Sequence, residues 1–88
     1  MPYINTQKRN ELDTTIQNLV DNIDLESWQG DLNYCITKIA LKIINKTKLN
    51  YSNLNNMIGV FECVKQEFYR RMLSTYEDRK IKENGDVY

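Results

Sequence analysis

The residues best suited to bind an anion are two groups in which cationic side chains follow a tyrosine. An arginine guanidinium binds phosphate through two parallel hydrogen bonds, and a nearby tyrosine can stack on a base or donate its hydroxyl. A third tyrosine, near the middle of the chain, is a further candidate for base stacking. We therefore expect phosphate and base recognition from Tyr34, Tyr69, Arg70, Arg71, Tyr76, Arg79 and Lys80.

Ordinary ion pairing is the alternative for these cations. Glu67 and Glu77 lie close to the arginines in sequence. Carboxylates three or four positions away on a helix neutralise basic side chains through salt bridges. Both interpretations stay open at the level of the sequence.

The sequence gives little support for a catalytic function. The sequence contains no histidine, which removes the commonest general base and most zinc sites. Cys35 and Cys63 match no familiar ligand spacing, and Asp21-x-x-Asp24 lacks the second carboxylate pair of the magnesium-dependent all-α nucleotide pyrophosphatases. We therefore expect a protein that is not an enzyme and has no metal site and no cofactor.

The charge distribution argues against nucleic acid as a partner. Twelve basic and twelve acidic residues give a net charge of zero, whereas DNA and RNA binding requires a basic surface. Up to Asp31 there are two basic and six acidic residues, and residues 32–52 hold four lysines and no acid. This asymmetry favours an acidic helix beside a basic one.

Membrane insertion is not expected either, because no apolar run approaches the roughly 18 residues of a membrane span. The chain also opens without a signal peptide, so we expect a cytosolic protein.

Apolar spacing predicts an all-α fold in a single domain of residues 1–88, with a helical hairpin and a long third helix, followed by a C-terminal tail at 77–88. Thr6, Asp31 and Ser52 are the predicted N-caps. The third helix carries the longest apolar series: Leu54, Met57, Ile58, Phe61, Val64, Phe68 and Met72.

Two details of the predicted helices lead to further predictions. Lysines at positions 38, 42 and 46 share one helical face, which favours helix over strand for the β-branched second segment. Gly59 interrupts the third helix, and a glycine there often marks a close crossing with another helix.

Aromatic residues are abundant at segment ends. The chain has six tyrosines and one tryptophan, and such side chains are enriched where one end must be dry and the other wet. We expect an interface at Trp28, Val87 and Tyr88. The alternative is that the aromatic side chains cover a small core.

Three stretches of the sequence resemble a family of small helical proteins encoded by bacteriophages and prophages. They are GDLNYCIT (residues 30–37), IGVFECVKQEFYRR (residues 58–71) and YEDRKIKENGDVY (residues 76–88). The resemblance covers nearly the whole chain, and the tail is its most specific part. It implies a phage or prophage origin, and with it the cytoplasm of a bacterial host. It also implies an ordered tail that turns at Gly85 and packs Val87 and Tyr88 on a neighbouring surface, but no activity and no site residues.

These observations lead to two functional expectations. The first is a non-enzymatic, phage-type binding protein that counteracts host defence as a homo-oligomer, by sequestering a nucleotide signal or by blocking a host protein. The second is a small accessory or assembly subunit of a virion or of a phage DNA-processing complex. Sequestration requires Arg70 and Arg71, whereas assembly requires the tail with Tyr88.

Overall fold

The computed structural model describes residues 3–88, and all of their regular secondary structure is helical. The helices are α1 (Thr6–Asp21), α2 (Trp28–Lys46), α3 (Tyr51–Phe68) and α4 (Ser74–Asn84), with a π-helical segment (Tyr69–Leu73) between α3 and α4. The last three elements are continuous and form one long helix of residues 51–84. The prediction of an all-α fold with a long third helix is confirmed.

The chain divides into two compact units after Asn50. The first unit contains α1 and α2, and the second, Tyr51–Tyr88, contains the long helix and the C-terminal residues. The assignment of one domain to the whole chain stays a prediction. Among residues 3–88, none of the helices combines the length and the apolar character that crossing a bilayer requires.

Helix α1 begins one residue earlier than predicted. Asn5, not Thr6, is the N-cap, and its Oδ1 accepts a hydrogen bond from the Lys8 backbone N–H at 2.8 Å. Asparagine is at least as good an N-cap as threonine, because its side-chain oxygen reaches the same free N–H groups. Thr6 therefore becomes the first residue of the helix.

Helix α2 begins at Trp28, so Asp31 lies in its first turn and not at its N-cap. The Asp31 carboxylate reaches back to the preceding connection, where its Oδ2 accepts from the Asp24 N–H at 2.9 Å. Asp24 in turn accepts from the Glu26 N–H at 3.0 Å. A carboxylate in the first turn also interacts favourably with the helix dipole, so Asp31 stabilises both the connection and the start of α2.

The first unit buries very little apolar surface. Among residues 3–88, Ile44 is the one buried hydrophobic side chain, with 7% of its surface exposed. Eight of the apolar residues at helical spacing on α1 and α2 are 37–53% exposed: Leu12, Ile16, Leu19, Val20, Leu32, Ile36, Ile39 and Ile43. Their periodicity is amphipathic as predicted, but their apolar faces are largely uncovered.

The π-helical segment changes the register of the long helix. The Ser74 N–H bonds to the Tyr69 carbonyl, five residues back, so the segment holds one more residue than an α-helical turn would. Each α-helical residue advances by about 100°, and the extra residue brings Leu73 and Tyr76 into line with the apolar face of α3. We call this face the stripe; it comprises Leu54, Met57, Ile58, Phe61, Val64, Phe68, Met72, Leu73 and Tyr76.

Gly59 lies on the side of α3 opposite the stripe. A Cβ atom added at this position would meet no heavy atom within 4 Å among the residues described. Among residues 3–88, the space next to Gly59 is therefore open.

The residues predicted as a tail are helical up to Asn84. Glutamate, arginine and lysine favour helix, and Lys80 Nζ pairs with Glu83 Oε2 at 3.1 Å within this segment. The helix ends at Gly85, whose φ of 85° confirms the positive φ that the Asn-Gly pair predicts. Val87 and Tyr88 follow outside the helix and are exposed.

Candidate functional site

Six of the seven predicted ligand-binding residues lie on the π-helical segment and α4. Tyr69, Arg70 and Arg71 belong to the π-helical segment, and the other three follow within two turns of α4. The seventh, Tyr34, belongs to α2 in the first unit. The long helix thus groups the predicted cations along about three turns.

Tyr69 is hydrogen-bonded across the π-helical segment. Its hydroxyl donates to Glu77 Oε1 at 3.2 Å. The Glu77 charge disfavours a phenolate beside it, and the hydrogen bond holds the proton, so the pKa of Tyr69 is raised above its usual value of 10.0. Tyr69 therefore connects the start of the π-helical segment to the first turn of α4.

The basic side chains of this region have acidic or aromatic neighbours. Arg71 Nε lies 3.4 Å from Glu67 Oε1, which is an i,i+4 ion pair on the helix surface. Arg79 and Lys80 each lie 5.6 Å from the centre of the Tyr76 ring, a cation–π geometry. The Arg71–Glu67 pair is the contact that the ion-pairing alternative predicts, and a surface pair of this kind is weak enough for a ligand to replace.

A shallow depression of about 420 Å³ lies on α4. Arg79 and Lys82 supply two positive charges to its lining, and Asp78 supplies one negative charge. A single helix forms no enclosing wall, so this depression is open to solvent. It can hold an anion by charge, but it provides little shape to select one.

Loss of the Tyr69–Glu77 hydrogen bond should show in the pH dependence of stability. Because the pKa of Tyr69 is higher in the folded than in the unfolded chain, the bond stabilises the fold fully below about pH 10. We expect the stabilisation to be lost as pH rises through the folded-state pKa. Urea unfolding at a series of pH values, monitored by circular dichroism, measures this for wild type and Tyr69→Phe.

The Tyr69→Phe variant is also the control, since it differs from the wild type only in the phenolic hydroxyl of Tyr69. The difference in unfolding free energy between wild type and variant should shrink above pH 10. A difference that stays constant with pH would contradict the role given to this hydrogen bond.

A second candidate site is a cleft in the first unit, where the end of α1 meets the start of α2. The cleft has a volume of about 170 Å³, less than the 300–1,000 Å³ of typical small-molecule pockets. Its size is that of one large side chain. It is lined by Leu19, Asn22, Ile23, Asp31, Tyr34 and Cys35.

The walls of the cleft are fixed by local structure. Asp31 is held by its hydrogen bond to the Asp24 backbone, which also fixes the connection between the helices. Cys35 is half-buried and is a free thiol, while the Tyr34 ring is exposed and lies 5.7 Å from Lys38 Nζ. The cleft therefore offers apolar walls, one carboxylate and one aromatic edge.

Sequence reasoning identified Tyr34 but missed the cleft itself. Helical spacing places Leu19 and Ile23 on the apolar face of α1 but gives no indication of a cleft beside Cys35. The available signal was Asp31, whose position near the start of α2 places a carboxylate beside the end of α1. From the sequence alone, this carboxylate indicates only a helix cap.

The predicted interface residues are all exposed. Trp28, the first residue of α2, is 48% exposed, and Val87 is 93% exposed. Tyr88 is fully exposed, and its backbone N–H donates to Asp86 Oδ1 at 2.9 Å. Their role at an interface stays a prediction.

Comparison with known proteins places the chain in a family. A family model described as a domain of unknown function, DUF6899, matches residues 1–87. No curated protein and no solved structure matches the chain. The family match spans all five helical elements, and the chain therefore belongs to the DUF6899 family.

Proposed function

We propose that this protein is a small, non-enzymatic accessory subunit that binds a partner protein through the cleft between α1 and α2. The observation that carries the proposal is the cleft itself: apolar walls from Leu19 and Ile23, open to solvent, with the volume of one large side chain. Binding hot spots in protein interfaces are formed by single anchors that fill pockets of this kind. The partner supplies an apolar side chain to the cleft.

Other exposed apolar side chains of α1 and α2 extend the proposed contact. Val20 and Leu32 are 48% and 41% exposed, and Trp28 opens the same helix that carries Tyr34. Exposed apolar patches on a small protein mark protein interaction sites. Burying an exposed side chain of this size contributes about 1.5–3 kcal/mol when it becomes fully covered.

The biological setting follows from the sequence motifs. Their resemblance to phage and prophage proteins supports a viral origin, so the partner is either a host protein that is blocked or a phage protein that is assembled. Both use the same physical contact. The identity of the captured partner distinguishes them.

Site-specific photo-cross-linking tests the docking proposal. A photoreactive phenylalanine analogue replaces Tyr34 in one variant, and Thr14, on the other side of α1, in the control. In cells of the native host we expect one protein partner cross-linked through position 34, and none through position 14. Adding Leu19→Gln should remove the cross-link, whereas Thr14→Gln should leave it, with helix content checked by circular dichroism.

Two results would contradict the docking proposal. One is cross-linking of equal strength from positions 14 and 34, since the cleft would then have no special role. The other is a position-34 product that contains only copies of this chain. Either result would exclude the cleft as the binding site of a partner protein.

A second candidate function is sequestration of a nucleotide, and the grouping of the predicted cations on the π-helical segment and α4 favours it. π-Helical turns occur frequently at functional sites, and Arg79 and Lys82 line an open depression nearby. Native mass spectrometry with a nucleoside monophosphate should show a discrete added mass that Arg79→Ala removes and Lys65→Ala retains. Absence of an added mass in the wild type would exclude this candidate for that ligand class.

A further inference from the structure

The second unit presents an apolar surface that its own residues do not cover. Eight of the nine stripe residues are 38–64% exposed, and Met57 is half-buried. At roughly 100 Å² for each such side chain, the exposed members offer about 800 Å², which is the area per partner of a standard stable interface. The stripe is therefore large enough for a specific interface.

We infer that the stripe is covered by the same helix of a second copy of this chain. The inference concerns the second unit, and it is independent of the partner proposed for the cleft in the first unit. A helix related by a two-fold axis would bring one stripe against the other, as in the isologous interfaces of most homodimers.

Helix length supports this occupant. The stripe runs from residue 54 to residue 76, about 33 Å along the axis. Helices α1 and α2, with 16 and 19 residues, extend about 24 and 28 Å and are shorter than the stripe. Among residues 3–88, only the helix of residues 51–84 is long enough to lie along the whole stripe.

Charge also favours a second copy. The unit Tyr51–Tyr88 holds six basic and six acidic residues, so two copies meet without net repulsion. A strongly acidic or basic partner would gain nothing from this neutral helix. The stripe itself contains no charged residue, which is the composition of a buried interface core.

The π-helical segment contributes to the same apolar surface. Its extra residue carries the apolar face past residue 69 and adds Leu73 and Tyr76 to the stripe. An uninterrupted α-helix would turn both side chains toward the edge of that face. The register change therefore lengthens the surface available to the second copy.

Sedimentation equilibrium of the purified wild-type chain is the first test. We expect a mass of twice 10.5 kDa at micromolar concentrations. The double variant Phe61→Gln/Phe68→Gln should raise the dissociation constant at least about 100-fold, because hot-spot aromatics dominate interfaces. Glutamine is a good helix former, so the helix itself should be retained.

Three controls keep the inference testable. Cys63→Gln places the same side chain on the other side of the helix, at an exposed position, and should leave the mass unchanged. Phe61→Leu/Phe68→Leu keeps the stripe apolar and should preserve the dimer if the glutamine variant fails to fold. Leu19→Gln, in the cleft, should also leave the mass unchanged and so separates this inference from the proposed function.

A monomeric wild type would overturn the inference, since the stripe would then be covered within one chain or exposed. A dimer that persists in the Phe61→Gln/Phe68→Gln variant, with unchanged helix content, would also overturn the inference, because another surface would then form the dimer. If Cys63→Gln raises the dissociation constant as much as the Phe61→Gln/Phe68→Gln variant does, the stripe is likewise excluded as the interface.

Discussion

Replacing Ile44 by alanine should lower the free energy of unfolding by about 2–5 kcal/mol, the range for a large aliphatic side chain removed from a packed site. Ile44 is 7% exposed and is the one buried apolar side chain among residues 3–88. The lost methylene groups leave a cavity that neighbouring atoms refill only in part. Urea unfolding followed by circular dichroism measures the change.

The adjacent Ile43 provides a matched control. It has the same side chain on the same helix but is 46% exposed, so Ile43→Ala should cost less than about 1 kcal/mol. Equal losses at both positions would show that Ile43 is also covered, by a partner or by another copy. Equal and small losses would contradict the role of Ile44 as a packed residue of the first unit.

Deletion of Arg70 should leave the long helix intact and its apolar face continuous. The π-helical segment contains one residue more than an α-helical turn, as the Ser74–Tyr69 hydrogen bond shows. Removing one residue converts the segment to α-helix, while Phe68 and Tyr76 keep their relative orientation. We expect unchanged helix content by circular dichroism and an unchanged mass by sedimentation equilibrium.

Deletion of Gln66, within regular α-helix, is the matched comparison. It rotates the residues before it by about 100° relative to those after it and divides the stripe into two misaligned halves. Self-association should then weaken at least about tenfold. If the two deletions behave alike, the register of the π-helical segment has no role in association.

The sequence predicts the helices well because their apolar periodicity is strong. The series from Leu54 to Met72 and the lysines at 38, 42 and 46 each repeat at helical spacing, and the structure places all of them in helices. Helix ends were less predictable, since Asn5 and Thr6 are both acceptable caps. Asp31 was predicted as an N-cap but lies in the first turn of α2, where its side chain accepts a hydrogen bond from the backbone of Asp24, seven residues away.

Other features lie beyond what pattern reasoning detects. The π-helical segment depends on where one backbone hydrogen bond is made, and YRRML has no composition that distinguishes it from α-helix. The cleft depends on how the end of α1 meets α2, which periodicity does not specify. By contrast, the pairing of Arg71 with Glu67 follows directly from i,i+4 spacing and was anticipated as an alternative to ligand binding.

The exposed helix faces also determine how the chain responds to temperature. The heat capacity of unfolding comes mainly from apolar surface that water reaches only after unfolding. Phe68 and Ile39, 64% and 48% exposed, are already largely hydrated in the folded chain. A single copy therefore has a heat-capacity increment below the usual value of about 12–15 cal/mol/K per residue, and a correspondingly flat stability curve.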